Sequence, residues 1–188
     1  AILAAHPAPT WERVTWTGGC SVGGTHAMKT LIQGATKPTI LDATGCAEVS
    51  FEGNSTITIP RDVTILSQSF DLGTYNLKSA NSTVNTLRFM VPSEQSCAAG
   101  AGKIVANNFK FSETNPLLAL AYSKCGVNLG NGSTAYWPGT VVTKNFSGTP
   151  LMTYSPVPLM PAGAGGGSGG TVTEIAISGE PVSQRNLD

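Results

Sequence analysis

Ile57-Thr58-Ile59-Pro60-Arg61-Asp62-Val63-Thr64-Ile65 is a pair of short alternating strands joined at a Pro-Arg-Asp corner. Alternation places Ile57 and Ile59 on one face of the first strand, and Val63 and Ile65 on one face of the second. The corner lacks the Asn-Gly or Asp-Gly of a tight hairpin, whereas a proline suits a bend where no ladder donor is needed. Apolar strand centres recur around this stretch at Leu41, Ile65, Phe89 and Phe111, in steps of 24, 24 and 22 residues. A period of this length predicts stacked coils in which each turn of chain buries its apolar side chains against the next.

The rest of the chain is read outward from there. Short strand patterns lie at Thr39 to Leu41, Ala47 to Phe51, Thr56 to Ile59, Val63 to Leu66, Tyr75 to Leu77 and Leu87 to Val91. Others follow at Lys103 to Val105, Phe109 to Phe111, Leu117 to Tyr122 and Thr140 to Thr143, all too short for helices. Residues 1–10 read as an extended arm leading to an edge strand, Trp11 to Trp16, whose two tryptophans are expected over a core end. One helix is predicted, Thr25 to Gly34, with Thr25 as N-cap, Gly34 as stop and Met28, Leu31 and Ile32 as its apolar stripe. Such a helix would cover the open end of a stack of strands. The fold class expected is all-β, a short parallel β-helix with an N-terminal capping helix; the alternative is an immunoglobulin-like β-sandwich, because short connections also permit hairpins.

Eleven basic and eleven acidic residues balance in 188, and charged residues make up only 12% of the chain. Nothing here steers it to nucleic acid, and no run is long enough to span a membrane. Cys20, Cys46, Cys97 and Cys125 stand singly, never as Cys-x-x-Cys, and neither His6 nor His26 lies at ligand spacing from them. No metal site or cofactor is expected; two disulfides are. Three connectivities exist, and Cys20 to Cys46 with Cys97 to Cys125 is favoured because each closes a loop of nearly one period. Four sequons, at Asn54, Asn81, Asn131 and Asn145, sit among turn residues and add to a secreted, extracellular assignment with glycan acceptors at those positions. Ala1 to Ala5 resembles the end of a processed signal segment, without a basic region before it.

Beyond Pro138 the rhythm loosens. Pro150, Pro156, Pro158 and Pro161 point to an extended, surface-tracking segment, and residues 162–170 are a Gly, Ala and Ser linker. Thr171 to Ser178 then alternates as one more strand, to pair with its own body or with a neighbour. The organisation expected is therefore a β-helical domain over 1–161, a linker over 162–170 and a C-terminal strand and tail over 171–188.

The helix segment Ala27-Met28-Lys29-Thr30-Leu31-Ile32, the following Thr39-Ile40-Leu41-Asp42, and the corner stretch Ile57 to Ile65 together resemble the start of secreted right-handed parallel β-helix proteins. The similarity is to pectin-lyase-like and polymorphic-membrane-protein-like domains, as found in green-algal surface proteins, and spans residues 25 to 125. It implies a right-handed coil and a structural or adhesive extracellular role. The polygalacturonase-like enzymes of that fold use a Gly-His-Gly and an Arg-x-Lys motif, and neither occurs here. For a calcium-dependent lyase, Asp42, Asp62 and Asp71 with Arg61 or Arg88 are the conceivable set. The plainer reading is that Asp62 bonds backbone near the corner and Arg61 faces solvent. Glu48 and Glu52 could face a sugar, yet residues four apart share a strand face whether or not they function.

No catalytic residue is therefore expected. The function expected is that of a noncatalytic glycoprotein domain, a structural or accessory subunit of a cell-surface assembly such as a wall, sheath, filament or ciliary coat. Its partners would be other extracellular or surface proteins, a filament or membrane-protein complex, or a polysaccharide. One alternative is a carbohydrate-binding or carbohydrate-cleaving protein on the same scaffold; another is a pilus-like subunit that polymerises by donating the strand at Thr171 to Ser178.

Overall fold

The computed structural model describes residues 10–157 other than 54–55, 74–75, 82, 93, 108 and 112–116. Every strand pairing among them is parallel. That excludes the sandwich alternative, whose sheets are antiparallel.

The chain winds round three faces in a fixed order. The first face stacks β1 (Glu12–Thr15), β3 (Thr39–Asp42), β6 (Val63–Leu66), β9 (Asn85–Met90) and β12 (Leu117–Ser123). The second stacks β2 (Ser21–Val22), β4 (Val49–Phe51), β7 (Phe70–Asp71) and β10 (Lys103–Val105), and the third stacks β5 (Thr56–Ile59), β8 (Asn76–Ser79) and β11 (Lys110–Phe111). A long strand, β13 (Gly126–Thr143), pairs with β10 near its start and with β12 near its end, so it carries the chain from the second face back to the first. β14 (Phe146–Tyr154) lies on β13 and forms the last layer.

The quoted stretch is the passage from third face to first. β5 and β6 are the strands read from it, with the same bounds, and Ile57, Ile59, Val63 and Ile65 are all buried. Leu41 pairs with Ile65, and Ile65 with Phe89, so the 24-residue step is the true register of these coils. The fourth member of that series is corrected. Phe89 pairs with Ala121, and Phe111 instead sits on the third face opposite Leu77. The coil after β9 is longer because the connection from β9 to β10 also holds a 3-10 turn, Ala98–Gly100, and Cys97.

Inward positions form continuous apolar ladders: Leu41, Ile65, Phe89 and Ala121 on the first face; Val49, Phe70, Ile104 and Val127 on the second; Ile57, Leu77 and Phe111 on the third. Phe89 is the hub, edge-on to Phe51, Phe70 and Phe109 at centroid distances of 5.8, 5.5 and 6.1 Å. Each such side chain contributes roughly 1.5–3 kcal/mol on burial, which makes this column the main source of stability.

In the first coil the third face is taken by α1 (Ala27–Gln33), which follows β2 and packs beside β5 with Met28 and Ile32 buried. Its N-cap is His26, without a side-chain capping bond, and not Thr25 as the sequence suggested. Gly34 does end it, donating its N–H to the last turn. Trp16 packs against the core with its Nε1–H given to Gly19 O, at 2.9 Å. Trp11 does not cover a core end: it lies on the outer side of the first face, 5.8 Å from the Arg88 guanidinium.

A second correction concerns 145–161. The stretch read as surface-tracking contributes β14, because Leu151, Met152, Thr153 and Tyr154 pair in register with Tyr136, Trp137, Pro138 and Gly139. Its prolines hid an edge strand, a position where a missing N–H is tolerated. The arm over 1–9, the linker over 162–170 and the strand at Thr171 to Ser178 lie outside the described residues.

Candidate functional site

The corner at Pro60 is where sequence reasoning placed its most tempting polar pair. Arg61 is exposed; its Nε donates to Thr36 O at 3.1 Å, one coil back, and its Nη1 to Pro60 O at 2.9 Å. Asp62 reaches the other way and accepts the backbone N–H of Thr86 at 2.8 Å, one coil on. Its own backbone carbonyl accepts the N–H of Thr39 at 2.9 Å. The corner thus stitches three successive coils. Buried Asn85 completes it, donating Nδ2 to Ile59 O at 2.9 Å and to Ser79 Oγ at 2.7 Å.

The corner between first and second faces is stitched by serines. Ser69 Oγ donates to Ala47 O at 2.8 Å, and buried Ser123 donates to Gly102 O while accepting the N–H groups of Cys125 and Gly126. Both disulfides stand at this same corner. Cys20–Cys46 joins the first coil to the second, and Cys97–Cys125 the fourth to the fifth. The favoured pairing is the one observed. Gly102 is required there: its φ is +72° and an added Cβ would lie 2.5 Å from Cys125 Sγ.

The carboxylates proposed for a calcium site do not converge. Asp42 is on the outward side of the first face, Asp62 at the third-to-first corner and Asp71 exposed on the second face. Among the described residues no three His, Cys, Asp or Glu side chains come together as a metal site would need. Asp42 is held by Arg13, Nη2 to Oδ2 at 2.7 Å, and by the Thr44 hydroxyl at 2.7 Å. The Arg13 bond is the main reason its carboxyl sits below the usual aspartate range, against a smaller opposing effect of burial. Glu52 accepts from Ser21 Oγ at 2.9 Å and Ser50 Oγ at 3.1 Å, and these bonds lower its pKa. Glu48 is exposed just before β4, so the two glutamates flank that strand without forming a pair on it. Arg88 is only 3% exposed on the outward side of β9, and burial lowers its pKa, partly opposed by the charge of Asp62. Beneath Trp11 it is out of reach of a polymer at the surface.

The sequons differ in what their side chains already do. Asn81 is exposed, and its Oδ1 accepts from Ser79 Oγ at 3.2 Å and Asn85 Nδ2 at 3.4 Å, so its own Nδ2 carries neither bond. Asn145 is exposed but gives Nδ2 to Cys125 O at 3.2 Å. Asn131 lies on β13 with its backbone opposite Thr149, and Asn54 lies outside the described residues. No helix of the described residues is long and apolar enough to cross a membrane.

Two features at the ends of the coil were missed in the sequence. Between β1 and α1 is a depression of about 700 Å³ lined by Val14, Trp16, Ala27, Leu31 and Thr39 among others. At the opposite end, four of the large apolar side chains that stand exposed, Phe146, Leu151, Met152 and Tyr154, belong to β14. Three of them hold core-facing positions, since Phe146, Met152 and Tyr154 continue the lines of Val127, Trp137 and Gly139. The signal was present in Phe146-x5-Met152-x-Tyr154, but recognising it needed the register of β13. Comparison with protein-family models, with curated proteins and with solved structures finds no match for this chain.

Proposed function

We propose that the chain is a right-handed parallel β-helix of the pectin-lyase-like kind, capped by α1, that serves as a noncatalytic structural or accessory subunit of an extracellular assembly. The observation that carries this reading is the corner at Arg61 and Asp62. Arg61 Nε and Asp62 Oδ1 each bond a main-chain group of a neighbouring coil, in the way a scaffold uses charge. A right-handed coil accords with the strong preference of parallel crossovers. Two disulfides suit an oxidising compartment. Within the described residues Asn81 is the sequon best disposed to carry a glycan, since Asn145 would have to give up or reshape its bond to Cys125. The partners that fit are other surface proteins or a polysaccharide.

The test is made on the native chain. It is expected to migrate in an assembly several times its own mass, to lose mass at Asn81 on enzymatic removal of N-glycans, and to leave uronic-acid polysaccharides intact. Cleavage of such a polysaccharide that D62N abolishes would overturn the noncatalytic reading. A native chain that is monomeric and unglycosylated would overturn the assembly role.

A further inference from the structure

The last layer of the coil is unfinished in a specific way. β14 pairs with β13 along one edge, and among the described residues no strand pairs with the other. On that open layer Met152 is 41% and Tyr154 76% exposed, whereas Trp137 beneath Met152, and Ala119, Leu87 and Val63 in the line of Tyr154, are buried. An edge of this sort, apolar and uncharged, is a template for another strand. The chain itself leaves from here, with Val157 buried after β14 and 31 residues still to run.

We infer that Thr171 to Ser178 of the same chain adds to the free edge of β14 as a further parallel strand, with Ile175 opposite Met152 and Ile177 opposite Tyr154. The spacing permits this register. It is a step of 23 residues, within the span from 15 (Trp137 to Met152) to 34 (Leu77 to Phe111) seen between paired residues of the coil, and equal to that between Lys103 and Gly126. Parity supports it: strand alternation then turns Thr171, Thr173, Ile175 and Ile177 toward the core and Val172, Glu174, Ala176 and Ser178 outward, so the single charge of the segment stays in water. A one-residue slip would place Glu174 or Ala176 over Met152 and Tyr154 and forfeit the apolar contact. The residues between are rich in Pro and then in Gly, a composition suited to a return loop. A second copy could in principle supply the same strand, but the intramolecular copy is tethered at the very edge it would join and has the higher effective concentration.

Hydrogen exchange on the full disulfide-bonded chain, at concentrations where it is monomeric, decides the matter. Amides in 171–178 and in Leu151 to Tyr154 are expected to exchange at least tenfold more slowly than unstructured peptide. I175D/I177D should release both segments together while β3, β6 and β9 remain protected, and E174K should release neither. Exchange of 171–178 at the free-peptide rate in the unsubstituted chain would overturn the inference. So would protection that develops only as the chain associates, which is donation to a second copy. Release by E174K as complete as by I175D/I177D would overturn the register.

Discussion

The two ends of this coil are built differently. At the N-terminal end, α1 takes the place of a strand on the third face and lays Met28 and Ile32 onto the column, both at most 1% exposed. At the C-terminal end, β14 holds Phe146, Met152 and Tyr154 at equivalent inward positions and leaves them between 41% and 76% exposed. A stack of parallel strands has no geometry of its own that stops it, so each end must be closed by something that is not another identical coil. On the third face α1, whose backbone groups are satisfied internally, lays one narrow apolar stripe beside β5. The described residues hold no counterpart of α1 on β14. The difference teaches where stability is finished within the folded column and where it waits on a further strand.

The largest expected effect falls at the end that carries α1. Ile32→Ala should cost about 2–5 kcal/mol, because a fully buried side chain would leave a cavity between α1 and the coil. Met152→Ala should cost about 1 kcal/mol in a chain truncated after residue 161, where the side chain is already 41% exposed. In the full chain the same substitution should cost about 1 kcal/mol more if Ile175 packs on it. Urea midpoints of the full and truncated chains with and without M152A, and of full-length I32A, measure these costs, and equal costs of M152A with and without the tail would show that nothing covers that end.

Disulfide removal comes next. In the chain-entropy view each bridge, closing loops with separations of 26 and 28 residues, contributes about 3 kcal/mol. The two losses should be felt in different places. Replacing Cys20 and Cys46 by Ala should loosen the first coil, raising exchange in β1 and α1, since that bridge is the cross-link between this coil and the next. Replacing Cys97 and Cys125 should free the loop at 92–102 and leave α1 protected. Equal loosening of α1 in both variants would mean that the coil unfolds as one unit and that its ends are not independent.

The asymmetry was only half legible in the sequence. Leu41, Ile65 and Phe89 show their equivalence because nothing is inserted between them, so the 24-residue step survives as a spacing. Phe111 misled for the opposite reason: a loop inside its coil shifted the count, and an apolar residue on another face happened to fall near the period. The disulfide pairing followed from the same arithmetic and is the one observed, since bridges between adjacent coils at one corner must close nearly one turn of chain. The helix was readable from Met28, Leu31 and Ile32, although its cap was not, because His26 serves without a side-chain bond. β14 was hidden by Gly148 and Pro150, residues that argue against a central strand and are acceptable on an edge. At the corner, Asp62 was read as bonding backbone, which it does; that the partner is Thr86, one coil on, is a fact of stacking that no local pattern contains.

That corner gives the next prediction in size. Asp62→Ala removes the acceptor of the Thr86 N–H and should cost about 1–2 kcal/mol, while Asp62→Asn, which keeps an oxygen in place, should cost less than half as much. The loss belongs to the middle of the column, so exchange should rise at β6 and β9 and remain unchanged at α1 and at β14. A thermal midpoint indifferent to both substitutions would show that the corner needs no carboxylate and would weaken its reading as a coil-to-coil stitch.

The smallest effect separates the ends by pH. Arg13 on β1 and Asp42 on β3 form an ion pair at the N-terminal end, while β14 carries no charged residue at all. The carboxyl of Asp42 is depressed in the folded chain, mainly by its bond to Arg13, so it binds a proton less readily folded than unfolded. Its contribution is then fully present above the ordinary aspartate value of about 3.9 and is lost as the pH falls through the lower folded value. Because Arg13 is 64% exposed, solvent screens the pair and the contribution should be only about 0.2–0.5 kcal/mol. Arg13→Ala should accordingly lower stability by that amount at pH 7, the gap should close as the pH is taken below about 4, and added salt should shrink it. Exchange at β1 should rise over the same acid range in the unsubstituted chain, with no matching change along β14. An acid response that begins at β14 would contradict the assignment, since β14 itself has no carboxylate to protonate.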